Sequence, residues 1–148
     1  MNLPRLSLFV VLAVLLGIST AGCMDRETVL SGDDATEVLA YAEPIVDNLM
    51  QGFNEGNYAK YSRDFGPEMK QALDEAAFAE SREFVTSRIG LHESRGDPVV
   101  TKTGEYVAVT YRAKFEREDG VALRFVFEKD DPSHRLQGLW FDSPMLRS

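Results

Sequence analysis

The spacing of the apolar residues changes once along this chain, near Leu91, and this change limits the choice of folds more than any other feature of the sequence. Before Leu91, apolar residues recur at steps of three and four, which is the spacing of one face of an α-helix. After it, apolar and polar residues alternate, which is typical of half-buried β-strands. Helices followed by a meander of antiparallel strands predict an α+β domain.

Three helices are predicted in the first part. The first follows Asp34, contains Pro44, which is expected to kink it, and ends near Gly56. Its apolar stripe consists of Val38, Ala42, Ile45, Val46, Leu49, Met50 and Phe53. A short second helix is expected over residues 58–64, and a third over about 67–89, with a break near Asp74.

Four strands are predicted in the second part, forming a curved sheet over the first helix. Residues 91–101 form an edge strand interrupted at Gly96-Asp97-Pro98, and residues 135–141 form the last strand. Between them, residues 106–117 and 121–128 form a hairpin, for which we predict a three-residue loop ending at Gly120. That loop sets Phe115 opposite Leu123. The inward positions are 107, 109, 111, 113, 115, 121, 123, 125 and 127.

Cys23, the only cysteine of the chain, directly follows an export signal. Arg5 supplies positive charge, residues 6–18 are apolar, and residues 19–22 are small. This segment resembles the lipobox of prokaryotic lipoproteins, although Thr20 replaces the commoner Leu. The resemblance implies that diacylglycerol is attached to Cys23 and that residues 1–22 are removed. The chain is then held on the extracytoplasmic side of the cell membrane.

Two alternatives to the lipoprotein interpretation stay open: an uncleaved membrane anchor and an ordinary secretory signal. An anchor helix needs about 20 apolar residues, and residues 6–22 are at the short end of that range. We therefore divide the chain into a lipoprotein signal peptide (1–22), a lipidated N-terminus with a flexible spacer (23–34) and an α+β domain (35–148).

Charge argues against nucleic-acid binding. The net charge is −8, and loss of Arg5 with the leader makes it −9. Binding to phosphates draws on clustered Lys and Arg, whereas the basic residues here are scattered among acidic ones.

Several stretches of the chain resemble a prokaryotic family of unknown function within the nuclear transport factor two-like (cystatin-like) superfamily. They are residues 45–49, 52–58, 61–65, 111–116 and 138–141. This resemblance covers about residues 38–142 and implies a cone-shaped fold with a pocket between sheet and helices. It carries no catalytic motif.

Acid-base catalysis in such a cone needs a titratable group inside it. Among the inward positions only Tyr111 is polar, and His92 and His134 are predicted to lie on the solvated surface. We therefore expect no enzyme activity, no catalytic residue, no metal site and no cofactor. The Asp130-Asp131 pair is interpreted as a charged turn.

The function predicted from sequence is a membrane-tethered, non-catalytic module that binds a small apolar ligand or an envelope protein. The candidate pocket residues are Ile45, Leu49, Tyr58, Tyr61, Phe65, Tyr111, Phe125 and Trp140. One alternative is a hydrolase or isomerase using Glu93, Asp97 or Asp142. Another is a homodimer joined through the exposed sheet face that carries Arg112, Lys114, Arg124 and Glu128.

Overall fold

The computed structural model describes residues 25–148. The predicted signal peptide and Cys23 lie outside the described residues. Within residues 25–148, no helix combines the length and the apolar character needed to cross a membrane.

The described chain is a mixed α+β structure of five helices and six strands. The helices are α1 (Gly32–Glu55), α2 (Tyr58–Tyr61), α3 (Pro67–Ala72), α4 (Glu75–Ile89) and α5 (Pro144–Arg147). The strands are β1 (Thr28–Val29), β2 (His92–Arg95), β3 (Val99–Thr103), β4 (Tyr106–Phe115), β5 (Glu118–Glu128) and β6 (Leu136–Asp142). The predicted order of helices and then strands is confirmed, as is the break near Asp74.

Helix α1 is held by its ends and by a close contact with α2. Gly56 ends it in the left-handed conformation with φ 66°, which a residue without Cβ adopts at little cost. Its Gly52 lies so near α2 that a Cβ there would be 2.5 Å from the backbone nitrogen of Tyr61. Pro44 lies within α1, which runs through it as one helix.

The sheet runs in the order β1-β3-β4-β5-β6, and β2 pairs with the free part of β4. All pairings between strands are antiparallel, and the sheet is curled but not closed. The prediction of four strands was wrong in number. The predicted edge strand is split at Gly96-Asp97-Pro98 into β2 and β3, and residues 28–29 add β1.

The β4–β5 hairpin pairs Tyr111 with Leu123, so the predicted pairing of Phe115 with Leu123 was wrong. The turn lies at Glu116-Arg117, because contacts outside the hairpin hold it there. The Glu116 amide donates to the Leu91 carbonyl and the Arg117 amide to the Ile89 carbonyl. The side chain of Arg117 also donates to the carbonyls of Arg88 and Thr86 at the end of α4.

The predicted flexible spacer, residues 23–34, overlaps ordered structure from residue 28 onward, so its extent was predicted wrongly. Thr28 and Val29 pair with β3, and the Leu30 amide donates to the Val100 carbonyl at 2.8 Å. Glu27 accepts hydrogen bonds from Thr101 at 2.7 Å and from Arg124 at 2.9 Å. These side chains hold the start of the described chain against the sheet.

The core lies between α1 and the inner face of the curled sheet. Every predicted inward position of β4 and β5 is buried, which confirms the predicted alternation of the two strands. The error in register was an even number of residues, so it left each side chain on its predicted face.

Candidate functional site

The space between α1 and the sheet is filled by side chains. Six of the eight candidate pocket residues lie in this core and are at most 8% exposed. They are Ile45, Leu49, Tyr61, Phe65, Tyr111 and Phe125. These residues therefore pack against one another, and the open clefts of the described structure lie at its margins.

An apolar cleft of about 280 Å³ lies beside α4, and we call it the α4 cleft. Helices α1, α2, α4 and α5 and strand β6 all contribute to its walls. Its apolar lining consists of Phe53, Tyr61, Leu73, Phe84, Val85, Leu139, Phe141 and Leu146. Ligand sites in proteins are typically concave and mostly apolar, with a few polar groups. The volume of the α4 cleft is close to that of the smaller ligand sites.

Three polar features accompany the apolar walls of the α4 cleft. Ser81 lies on α4, and its hydroxyl donates to the Ala77 carbonyl at 2.9 Å. Asp142 and Arg147 form an exposed ion pair with 3.4 Å between oxygen and nitrogen. Tyr61 lies against Phe78 with 4.4 Å between ring centroids. Burial raises the pKa of the Tyr61 hydroxyl.

The remaining predicted pocket residues are dispersed. Tyr58 donates its hydroxyl to the Leu73 carbonyl at 2.9 Å and lies outside the α4 cleft. Trp140 is 55% exposed on the opposite face of the sheet, so the prediction that it is buried in the pocket was wrong. Its partner across the strands is Arg124, which places both on the outer face. Of the eight candidates, only Tyr61 lines the α4 cleft.

A second cleft, of about 290 Å³, lies near the start of α1 and is more polar. His134 stacks on Tyr41 there, with ring centroids 3.9 Å apart and planes 7° from parallel. His134 has a φ of 48°, a strained conformation for a residue with a side chain. A turn holds it, because the carboxylate of Asp131 accepts from Ser133 and from the Arg135 amide. His134 is therefore half-buried rather than solvated as predicted.

A network of charged groups joins α1 to the sheet, and sequence reasoning missed it. Glu43 accepts a hydrogen bond from the Tyr111 hydroxyl at 2.7 Å and one from Arg95 at 2.9 Å. Arg95 also donates to Asp47 at 2.6 Å, and its guanidinium lies 4.9 Å from the centre of the Tyr111 ring. Burial, with the hydrogen bond to Glu43 second, raises the pKa of Tyr111. We call these four residues the Tyr111 network.

The sequence held one usable signal for the Tyr111 network. A buried tyrosine hydroxyl generally has a hydrogen-bond partner, so Tyr111 predicts a polar residue facing it. Glu43 and Asp47 flank the apolar stripe of α1 one turn apart, where such a partner belongs. Nothing in the sequence, however, pairs Arg95 of β2 with α1, because that contact depends on how the sheet curls.

The Tyr111 network yields a test of its contribution to stability. We expect Tyr111→Phe to lower the free energy of unfolding by about 1 to 3 kcal/mol, because hydrogen bonds to charged groups contribute more than neutral ones. Tyr58→Phe is the matched control, since it removes a neutral bond to a carbonyl and should cost about 1 kcal/mol. Urea denaturation followed by circular dichroism measures both. A larger loss in Tyr58→Phe would contradict this account.

The residues of the enzyme alternative do not converge in the structure. Glu93 pairs with Lys114, Asp97 is exposed, and Asp142 pairs with Arg147. The ring centroids of His92 and Phe115 are 5.5 Å apart. Burial lowers the pKa of His92. None of the ion pairs among the described residues involves a histidine.

Within residues 25–148, no group of three or more His, Cys, Asp or Glu side chains is placed to hold a metal ion.

A protein-family model described as "Protein of unknown function (DUF3887)" matches residues 46–132. The match begins within α1, ends after β5 and covers more than half of the chain. It includes Asp47, Arg95 and Tyr111 of the Tyr111 network. No curated protein and no solved structure matches the chain.

Proposed function

Since the chain belongs to the DUF3887 family of proteins of unknown function, we propose that it is a lipid-anchored, non-catalytic module that binds a small apolar ligand in the α4 cleft. The observation that carries the proposal is the lining of this cleft. Side chains of Phe, Tyr, Leu and Val form its walls, and the polar groups of Ser81, Asp142 and Arg147 accompany them. Such a site takes a ligand with an apolar body and a small polar end.

The membrane part of the proposal rests on the export signal and on Cys23. Two or more acyl chains hold a protein durably on a bilayer, because each buried methylene contributes about 0.8 kcal/mol. The ligand site is then placed at the surface of the cell membrane, on its extracytoplasmic side.

We further propose that the domain is related to the nuclear transport factor two-like superfamily. What supports this is the long helix α1 packed in the concave face of a curled antiparallel sheet. Because folds of this kind host many functions, the relationship does not select a ligand.

A pocket enzyme of the same fold is the second candidate, and the Tyr111 network is the observation that bears on it. The network contains two carboxylates, a phenol and a guanidinium in contact. Glu43 already accepts from two donors, and Arg95 already bonds two carboxylates. Groups engaged in this way are poorly available for proton transfer, so we favour a structural role for the network.

The ligand site can be tested by filling it. We expect the protein to bind the apolar fluorescent probe N-phenylnaphthylamine, and we expect Ser81→Phe to weaken binding at least about tenfold because the ring enters the cleft. Ser87→Phe is the matched control, since Ser87 is on the same helix but exposed. Titration of probe fluorescence measures both. Equal affinity in the two variants, or no binding by the unmodified protein, would overturn the assignment of the site.

A further inference from the structure

The face of the sheet turned away from α1 carries most of the exposed large apolar side chains of the described chain. We call it the outer sheet face. Val29, Val99, Tyr106 and Trp140 all lie on it, and each is at least half exposed. The cross-strand pairing aligns Val99, Thr110, Arg124 and Trp140 in one row and Val29, Thr101, Ala108, Val126 and Gly138 in the next. The apolar residues therefore span the sheet from β1 to β6.

The number of residues between Glu27 and Cys23 limits how far from this face a lipid on Cys23 is attached. Glu27 is hydrogen-bonded to Thr101 and Arg124, which belong to the two rows. Cys23 is four positions before Glu27, and four extended residues reach at most about 14 Å. A domain of this size is on the order of 35 Å across, so a lipid on Cys23 enters the bilayer on the side of the domain that carries β1.

We propose that the outer sheet face lies flat on the bilayer that holds Cys23, with Trp140, Tyr106, Val99 and Val29 at the level of the lipid headgroups. This inference rests on the lipid anchor proposed above. Trp and Tyr are enriched at this level of membranes because their rings combine an apolar body with a polar group. The short connection to the lipid on Cys23 keeps the outer sheet face near the bilayer surface. Each apolar side chain therefore needs to contribute only a small binding free energy.

The outer sheet face carries both basic and acidic side chains. Its basic residues are Arg112, Lys114 and Arg124, and its acidic ones include Glu27 and Glu128. Arg124 is paired with Glu27 and Lys114 with Glu93. Among the described residues, Arg112 makes no ion pair and donates only to the Gly120 carbonyl at 3.3 Å. Its guanidinium is therefore available to a lipid phosphate.

The position of Trp140 allows two orientations to be told apart. In one, the whole outer sheet face lies on the bilayer, and in the other only the β1 edge touches it. Trp140 is on β6, and four strand spacings of about 4.8 Å place it roughly 19 Å across the sheet from β1. It is also the only tryptophan of the chain, so intrinsic tryptophan fluorescence reports this position alone.

The experiment uses the protein purified from membranes and reconstituted into vesicles of equal parts phosphatidylcholine and phosphatidylglycerol. We expect lipids brominated on their acyl chains to reduce Trp140 emission at least about twofold, since quenching requires the ring to reach the acyl boundary. The double variant Val29→Asp/Val99→Asp should lose most of this quenching while keeping its circular dichroism spectrum. Met145→Asp, at an exposed position of α5, is the control that should retain it.

Each other outcome has a defined meaning. Trp140 emission unaffected by brominated lipids in the tethered protein would overturn the docking while leaving the anchor in place. If protection of Trp140 from quenching grows with protein concentration and the protein has a dimer mass in detergent, a second copy of the chain covers this face. That result would overturn the proposed docking on the bilayer. If the mass of the N-terminal peptide shows no lipid, the proposed anchor is wrong. Docking is then decided by the same quenching after the Cys23 thiol is coupled to a maleimide lipid.

Discussion

Replacing Cys23 by Ser is expected to abolish incorporation of labelled fatty acid into the protein. The chain contains one cysteine, and no other residue can form the thioether that carries the diacylglycerol. The loss should therefore be complete rather than partial, and the variant should accumulate as the uncleaved precursor or be released. Growth with a labelled fatty acid, followed by immunoprecipitation and electrophoresis, measures label and processing together.

A matched variant separates loss of the thiol from damage to the leader. Thr20→Leu alters the same segment toward the commoner lipobox and should keep full labelling. Label that persists on Cys23→Ser would contradict the assignment of the lipid to this residue. Absence of label from the unmodified protein would contradict the lipoprotein interpretation as a whole.

Phe125→Ala is expected to lower the free energy of unfolding by about 3 to 5 kcal/mol, the usual cost of emptying a large buried aromatic site. Phe125 is 0% exposed and pairs with Val109 and Leu139 on the two neighbouring strands. A typical domain has 5 to 15 kcal/mol of stability in all, so this loss brings the chain close to unfolding under ordinary conditions.

Trp140→Ala is the contrasting variant on the adjacent strand and should cost about 1 kcal/mol or less, because most surface substitutions have small effects. Its indole lies over Gly138 on the solvent side of the sheet. Urea denaturation followed by far-ultraviolet circular dichroism compares the two variants without relying on tryptophan. Equal losses would mean that Trp140 belongs to the core, as the sequence pattern had predicted.

Alternation of apolar and polar residues predicted the faces of β4 and β5 correctly, because the period of a strand is two and burial of one face leaves a clear pattern. The same logic failed for β6. A bulge at Gln137 shifts its pairing with β5 between Val126 and Phe127, and Trp140 then faces outward. On a short strand, the sequence does not show which side of the sheet an apolar residue occupies.

The start of the fold was missed for a different reason. Residues 27–30 have no periodic apolar pattern, and what holds them is a backbone ladder to β3 and the bonds of Glu27 to Thr101 and Arg124. Such contacts join residues distant in sequence. Their formation depends on the finished sheet, so a local pattern cannot predict them.

The sequence predicted the chemical character of a candidate site, but most of the residues named for it lie elsewhere in the structure. Apolar and aromatic residues with a Tyr hydroxyl were expected, and the α4 cleft shares Tyr61 with that expectation, but its other walls come mainly from α1, α4, β6 and α5. Six of the eight candidates instead fill the core, because the apolar faces of α1, β4 and β5 meet there. Sequence periodicity identifies buried faces and does not tell a filled interior from an open one.

The most direct test of the proposed function is native mass spectrometry of the protein extracted gently from membranes. We predict the mass of a chain that begins at Cys23 and carries diacylglycerol, together with a small apolar molecule that is released when the ion is activated. Ser81→Phe should carry the lipid but not the released molecule. A chain without lipid at Cys23, or a lipidated chain from which no small molecule is ever released, would contradict the account.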